Sequence, residues 1–156
     1  MRDVFNGKSI GGGTLARVDE FEQFIQAKLP TDYRQFLIDF NGGLPSSDIS
    51  LYRSKFELPG GSEIEVSQFF TLNDGHAVVR SLRSEVEENV GWLGMTSICI
   101  GADDFGNLIC LDCETGQLEW LLLEARFSLD FSRIFQLQVS FSDFIDQLEK
   151  GTCSEL

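Results

Sequence analysis

An α+β domain, with helices packed on a mostly antiparallel sheet, is what the sequence predicts on three observations. Apolar residues recur at helical spacing between residues 17 and 40. Short extended runs separated by turn residues, with one helical segment among them, lie between 46 and 123. A last helical stretch, "SFSDFIDQLEKG", closes the chain. Runs of strands set apart from runs of helices mark this class rather than an alternating parallel fold. The chain has 156 residues, which fits one domain. At that size a fold buries roughly 70% of its unfolded surface and needs neither disulfide nor metal for support. Hydrophobic residues make up 42%, with 14 Phe among them, so material for a core is ample.

The first residues, ending in Gly11-Gly12-Gly13, read as a loose arm over 1–16. "GKS" at Gly7–Ser9 lacks the upstream Gly of a phosphate-binding loop, where Arg2 stands instead. From Arg17, Val18, Phe21, Ile25 and Leu29 recur at three- and four-residue spacing. This first helix is expected to end near Lys28, because Pro30 disfavours helical geometry at Leu29. A second helix starts at Pro30-Thr31, where a missing backbone N–H is harmless. Its apolar stripe is Tyr33, Phe36, Leu37 and Phe40, and Asn41-Gly42-Gly43 supplies the left-handed residues that close it.

Two extended runs follow, Ile49 to Phe56 and Ile64 to Val66, around the turn signal Pro59-Gly60-Gly61. Ala77 to Val90 is amphipathic, with Val78, Val79, Leu82 and Val86 on the expected buried face. "SICIG" and "NLICLD" flank "ADDFG" as a hairpin turning at Gly106, and "LEWLLL" adds a third strand. In the closing helix Ser140 is the expected cap and Gly151 the stop. The domain is thus expected over 17–151, with a tail at 152–156.

Composition excludes several functions. The net charge of −13, from 12 Lys+Arg against 25 Asp+Glu, argues against nucleic acid or an anionic membrane as direct partner. It favours solubility and a basic partner. No apolar run reaches the length of a membrane span, and the start lacks a signal peptide's apolar stretch, so a cytoplasmic protein is expected. The four cysteines include one CxxC, Cys110 and Cys113. A zinc site wants a second pair, whereas Cys153 is distant and His76 is the sole histidine. In a strand Cys110 and Cys113 point to opposite faces. No cofactor or metal is expected.

His76 lies in the polar turn "NDGH" with no nucleophile elbow anywhere, so no catalytic role is expected for it. Asp103-Asp104 at one hairpin tip and Asp112 with Glu114 at the next turn form one acidic group. Glu85, Glu87 and Glu88 form another. Either is a candidate surface for a basic protein, since complementary charge speeds association. Turn-forming acids that bond their own backbone, and plain solvated charge, are the competing readings.

The combination of motifs resembles the SUKH superfamily, which takes in the yeast cell-wall synthesis regulator and many bacterial immunity proteins. The resemblance is carried by the Glu-bearing helix "FEQFI", then Leu29, Pro30, Tyr33, Phe36, Leu37, Asn41, Gly42 and Gly43. Ile100-Gly101, Asp103-Asp104, Gly106 and Leu108 to Asp112 resemble its strand–acidic turn–strand pattern, and "SFSDFIDQL" its last helix. The family turn often has a second Gly or acid beside Gly106, where this chain has Phe105 and Asn107. The resemblance implies a mixed, mostly antiparallel sheet backed by helices, and family residues that are chiefly structural. It further implies a non-enzymatic immunity protein that occludes a cognate toxin, or alternatively a regulatory or scaffold module.

Overall fold

The computed structural model describes residues 1–59, 61–89, 96–122 and 134–151. Its elements run α1 (Leu15–Ile25), α2 (Thr31–Asp39), a 3₁₀ turn (Ser47–Ile49), β1 (Leu51–Leu58), β2 (Gly61–Phe69) and α3 (Leu82–Glu88). They continue with β3 (Ser97–Asp103), β4 (Leu108–Asp112), β5 (Gln117–Leu121), β6 (Ile134–Ser140) and α4 (Phe141–Asp146). The expected tail at 152–156 with Cys153, and the predicted positions Gly60, Val90 and Leu123, lie outside the described residues.

The α+β expectation holds. The six strands form one sheet in chain order, and every pairing between them is antiparallel. The sheet coils until its two edges, β1 and β6, come back into contact, as the right-handed twist of antiparallel strands favours. Lys55 Nζ donates to the Gln138 carbonyl across that gap at 3.1 Å. At the other end of β1, Leu51 exchanges both backbone hydrogen bonds with Glu149, at 2.9 and 3.0 Å. That pairing covers an edge that would otherwise be open to other chains. It also explains why Gly151 is not the helix stop: α4 already ends at Gln147, and the chain continues beside β1.

Local chemistry sets the helix ends. Thr14 accepts from Arg17 N–H (3.2 Å) and so starts α1 at Leu15, two residues before the periodicity does. Gln26 adopts a left-handed conformation and ends it before Lys28. Ser140 accepts from Asp143 N–H and caps α4 as expected. The helix expected over 77–90 is shorter, because Ser81 caps it at Leu82 (Ser84 N–H to Ser81 Oγ, 3.3 Å). Upstream, His76 Nδ1 accepts from the N–H groups of Val78 and Val79 and folds a turn. Val78, expected on a buried face, is therefore exposed while Val79 is buried.

The loose arm expected over 1–16 is also corrected. Val4 and Phe5 are buried, and the Phe5 ring packs 5.7 Å from Phe36, 5.9 Å from Phe40 and 6.0 Å from Phe69. Two apolar residues near a terminus were enough to join the core. Phe36 is the hub, also meeting Phe141 of α4 at 4.8 Å and Tyr33 at 6.2 Å.

Asn41-Gly42-Gly43 does more than close α2. Asn41 Nδ2 donates to the Gly11 carbonyl (2.8 Å), and its Oδ1 accepts from Leu72 N–H (2.8 Å). Gly43 exchanges backbone bonds with Phe69. Gly42 has φ +79°, and a Cβ there would lie 2.7 Å from the Phe69 carbonyl oxygen and closer still to that of Phe70. The motif stitches the N-terminal segment, α2 and the end of β2 together.

Candidate functional site

The two acidic groups of the sequence do not survive as groups. Asp103 is 5% exposed, and its carboxylate is an internal acceptor. Oδ1 accepts from Phe105 N–H and Asn107 N–H, both at 2.9 Å. Oδ2 accepts from Asn107 Nδ2 (3.0 Å) and from Trp120 Nε1 on β5 (3.1 Å). The turn closes with Gly106 N–H on the Asp103 carbonyl and Gly106 at φ +82°. Asp103 is therefore withdrawn as a partner-contacting residue: its carboxylate is held inward by the donors of its own turn and of Trp120. Asp104, one residue on, is the first residue past β3 and is exposed in the turn.

Asp112 and Glu114 lie at the far end of β4, which puts roughly 14 Å between the two turns at the rise of an antiparallel strand. Asp112 Oδ1 accepts from Glu114 N–H (2.9 Å) and Thr96 Oγ1 (2.7 Å), so it serves its own turn, while Glu114 is exposed.

Glu85 is corrected in the same way. It is 2% exposed; Arg80 Nε donates to its Oε1 (2.6 Å), with Arg80 Nη2 on the same oxygen, and Asn89 Nδ2 donates to Oε2 (3.1 Å). Helical spacing puts Glu85 on the face of Leu82 and Asn89, against β3, and turns Glu87 and Glu88 outward. Both of those are exposed.

Thiol and imidazole chemistry is weak here. Cys99 and Cys110 are cross-strand partners with sulfurs 3.5 Å apart, both fully buried. Burial, then the neighbouring Cys99 thiol and the charges of Glu119 and Glu85, push the Cys110 thiol well above its ordinary range. Cys113, beside Tyr33, is raised to about 11 by burial and by Asp112 and Glu22. Such thiols are poor nucleophiles and ligands. His76 spends Nδ1 on its own turn, and the nearby Ser81 hydroxyl donates to Asp74 (2.7 Å). Among the described residues no group of three or more His, Cys, Asp or Glu side chains is placed to hold a metal ion. Nor is any described helix long and apolar enough to cross a membrane.

What the β3–β4 turn does present is Phe105, which is 82% exposed, well beyond Val78 at 59% and Leu15 at 57%. Asp104 beside it lines a depression of about 270 Å³ together with Ser47, Ser50, Glu65 and Ser67. Asp104 N–H is bonded to the Glu65 carbonyl (3.0 Å), which fixes the turn against β2. Sequence reasoning noted Phe105 only as a departure from the family turn, and gave no role to Glu65 or Trp120. A Phe at a turn tip, where Gly, Asn, Asp or Ser is usual, was the available signal.

The model of the SMI1 / KNR4 family (SUKH-1) matches residues 12–147 of this chain. No curated protein matches it.

Proposed function

The chain belongs to the SMI1 / KNR4 family (SUKH-1), and from that premise we propose that it is an immunity protein. It binds a cognate, basic protein toxin, for which a nuclease is the class that fits, and neutralises it by covering the toxin's active site or substrate path. The family match over residues 12–147 carries this reading. It is supported by the fate of the chemistry-bearing residues. Glu22, Glu85, Asp103 and Glu119 are buried and taken up as acceptors within the fold. The remaining exposed acids suit contact with a protein rather than turnover of a substrate.

Occlusion needs no catalysis by the inhibitor. A standard interface of about 1,600 Å² is enough to block an active site, and the net charge of −13 accelerates encounter with a basic partner. The acidic surface also argues against direct contact with nucleic acid or an anionic membrane.

The test is co-expression and co-purification with the product of an adjacent toxin-like gene. A stable complex that weakens with salt, together with protection from toxicity, is the expected result. Absence of both overturns the reading. Recovery of several host regulatory proteins instead would assign the chain to the scaffold branch of its family.

A further inference from the structure

We propose that Cys99 and Cys110 are a redox pair, which a low-molecular-weight disulfide such as oxidised glutathione converts into a cross-strand disulfide joining β3 to β4. The dithiol is the reduced form of a reversible modification, whatever the chain binds.

Three observations carry it. First, the strand register makes the two cysteines direct partners. Their side chains therefore share one face of the sheet, and their sulfurs are in contact at 3.5 Å. Opposed residues on antiparallel strands have Cα atoms about 4.5–5.5 Å apart, inside the roughly 4.4–6.8 Å that a disulfide spans. Closing the sulfurs to a bond of about 2 Å then takes a turn of the two side chains, with the strands left in place. Second, the ladder has slack beside the pair. Cys99 pairs with Cys110 and Gly101 with Ile109, which leaves Ile100 as an extra residue on β3. Bulges of this kind re-aim neighbouring side chains.

Third, the contact that the two thiols make with each other does little for the fold. A thiol is a weak donor and a weak acceptor, and both residues are fully buried at the centre of the meander. What two facing thiols add there, beyond the packing of small apolar side chains, is the chemistry of the S–S bond. The cysteines are 11 positions apart, so the bond closes a small ring around the turn that holds Asp103. Oxidation therefore staples that turn at its base.

The exchange balances in two steps. One protein thiolate attacks a sulfur of the oxidant, forming a mixed disulfide and releasing one glutathione thiolate. The other protein thiolate attacks the protein sulfur of that mixed disulfide and expels the second glutathione. The protein loses two electrons, the oxidant gains them, and the two thiol protons end on the two released glutathione thiols. Burial makes the exchange slow, because the oxidant meets the sulfurs only in transiently opened molecules.

The test uses the full chain carrying Cys113→Ser and Cys153→Ser, which leaves this pair alone, in buffers of reduced and oxidised glutathione. The expected result is a monomer lighter by two hydrogens, with both free thiols lost and a peptide map linking Cys99 to Cys110. The wild-type chain, mapped in parallel, should give the same link, and a dithiol should restore both thiols. Far-UV circular dichroism should be unchanged, and Tm should rise by roughly 5–10 °C, as expected for a staple of this loop length. Glutathione adducts without the link, a link between two chains, a lost fold or a Tm that does not rise overturns the inference. So do thiols that stay reduced in the folded chain while the same chain oxidises in urea.

Discussion

Replacing Asp103 by Asn tests whether its carboxylate is a structural acceptor. The substitution keeps the shape and one oxygen. In the native turn both oxygens accept twice: Oδ1 from the N–H groups of Phe105 and Asn107, Oδ2 from Asn107 Nδ2 and Trp120 Nε1. An amide has acceptor capacity on one side only. With the NH₂ in the Oδ2 site, Asn107 can turn its amide oxygen toward it, but Trp120 Nε1 has no such option and its hydrogen bond is lost. Asn107 and Trp120 are themselves buried, so water replaces the lost acceptor poorly. At ~1–3 kcal/mol for a buried donor left unsatisfied, the loss is of that size. That is a large share of the ~5–15 kcal/mol that holds a domain together. Urea unfolding followed by far-UV circular dichroism gives the value. The cycle with Trp120→Phe gives the coupling, expected between about 0.5 and 3 kcal/mol for groups in contact. Asp103→Asn within about 0.5 kcal/mol of wild type, or strict additivity in the cycle, would refute the acceptor role.

Phe36→Ala removes the hub of the aromatic cluster, a ring with no exposed surface that meets five others. It should cost about 3–5 kcal/mol in the same urea assay; under 1 kcal/mol would mean the cluster repacks freely. Gly42→Ala drives a Cβ into the Phe69 and Phe70 carbonyls and should prevent folding at 37 °C. Gly75→Ala, at φ +72° with open space around it, should cost only the left-handed penalty of about 1–2 kcal/mol. Equal Tm values for the two would contradict the close approach. Glu85→Gln strips the partner from Arg80 and should cost about 2–3 kcal/mol, below the usual figure for a buried pair because about a third of Arg80 is in water. Glu87→Lys with Glu88→Lys should leave Tm unchanged while slowing association with a basic partner, measured by stopped flow. Cys113, raised from 9.0 to about 11, should hold roughly 100-fold less thiolate at pH 8 in the native chain than in urea, and so react more slowly with a disulfide reagent. The unfolded chain gives up this proton near pH 9 and the native one only near 11. The stability tied to the thiol is thus full below 9 and lost as pH rises to 11.

The helices and the β3–β5 meander were legible because each carries its own punctuation: Pro30 and Asn41-Gly42 around α2, Gly106 at the hairpin, Ser140 before α4. β6 was not anticipated, although Gln136-Leu137-Gln138-Val139 alternates cleanly and only Leu137 and Val139 of those four are buried. The burial of Val4 and Phe5 was invisible because the ring stack that receives Phe5 comes from α2, β2 and α4. Glu85 and Asp103 were misjudged for one reason. Sequence adjacency groups Glu85 with Glu87 and Glu88, and Asp103 with Asp104. Secondary structure sends neighbours to different faces, so a charge run mixes buried acceptors with solvated surface.

That sorting changes what the net charge means for binding. All ionised groups, buried or not, contribute to the field a partner meets at a distance, so the full −13 governs steering until salt screens it over about 10 Å at 0.1 M. Contact is different. Glu85 is neutralised by Arg80, Glu22 by Arg34 and Lys28, and Asp103 is sealed by N–H donors of its own turn and of Trp120. None of these can meet a partner without unfolding its own site. Any short-range interaction must come from exposed residues instead, Glu87, Glu88, Asp104 and Glu114 among the acids. Steering and holding therefore fall to different groups in any complex: the distributed charge acts on the association rate, and the exposed residues on how long the complex lasts.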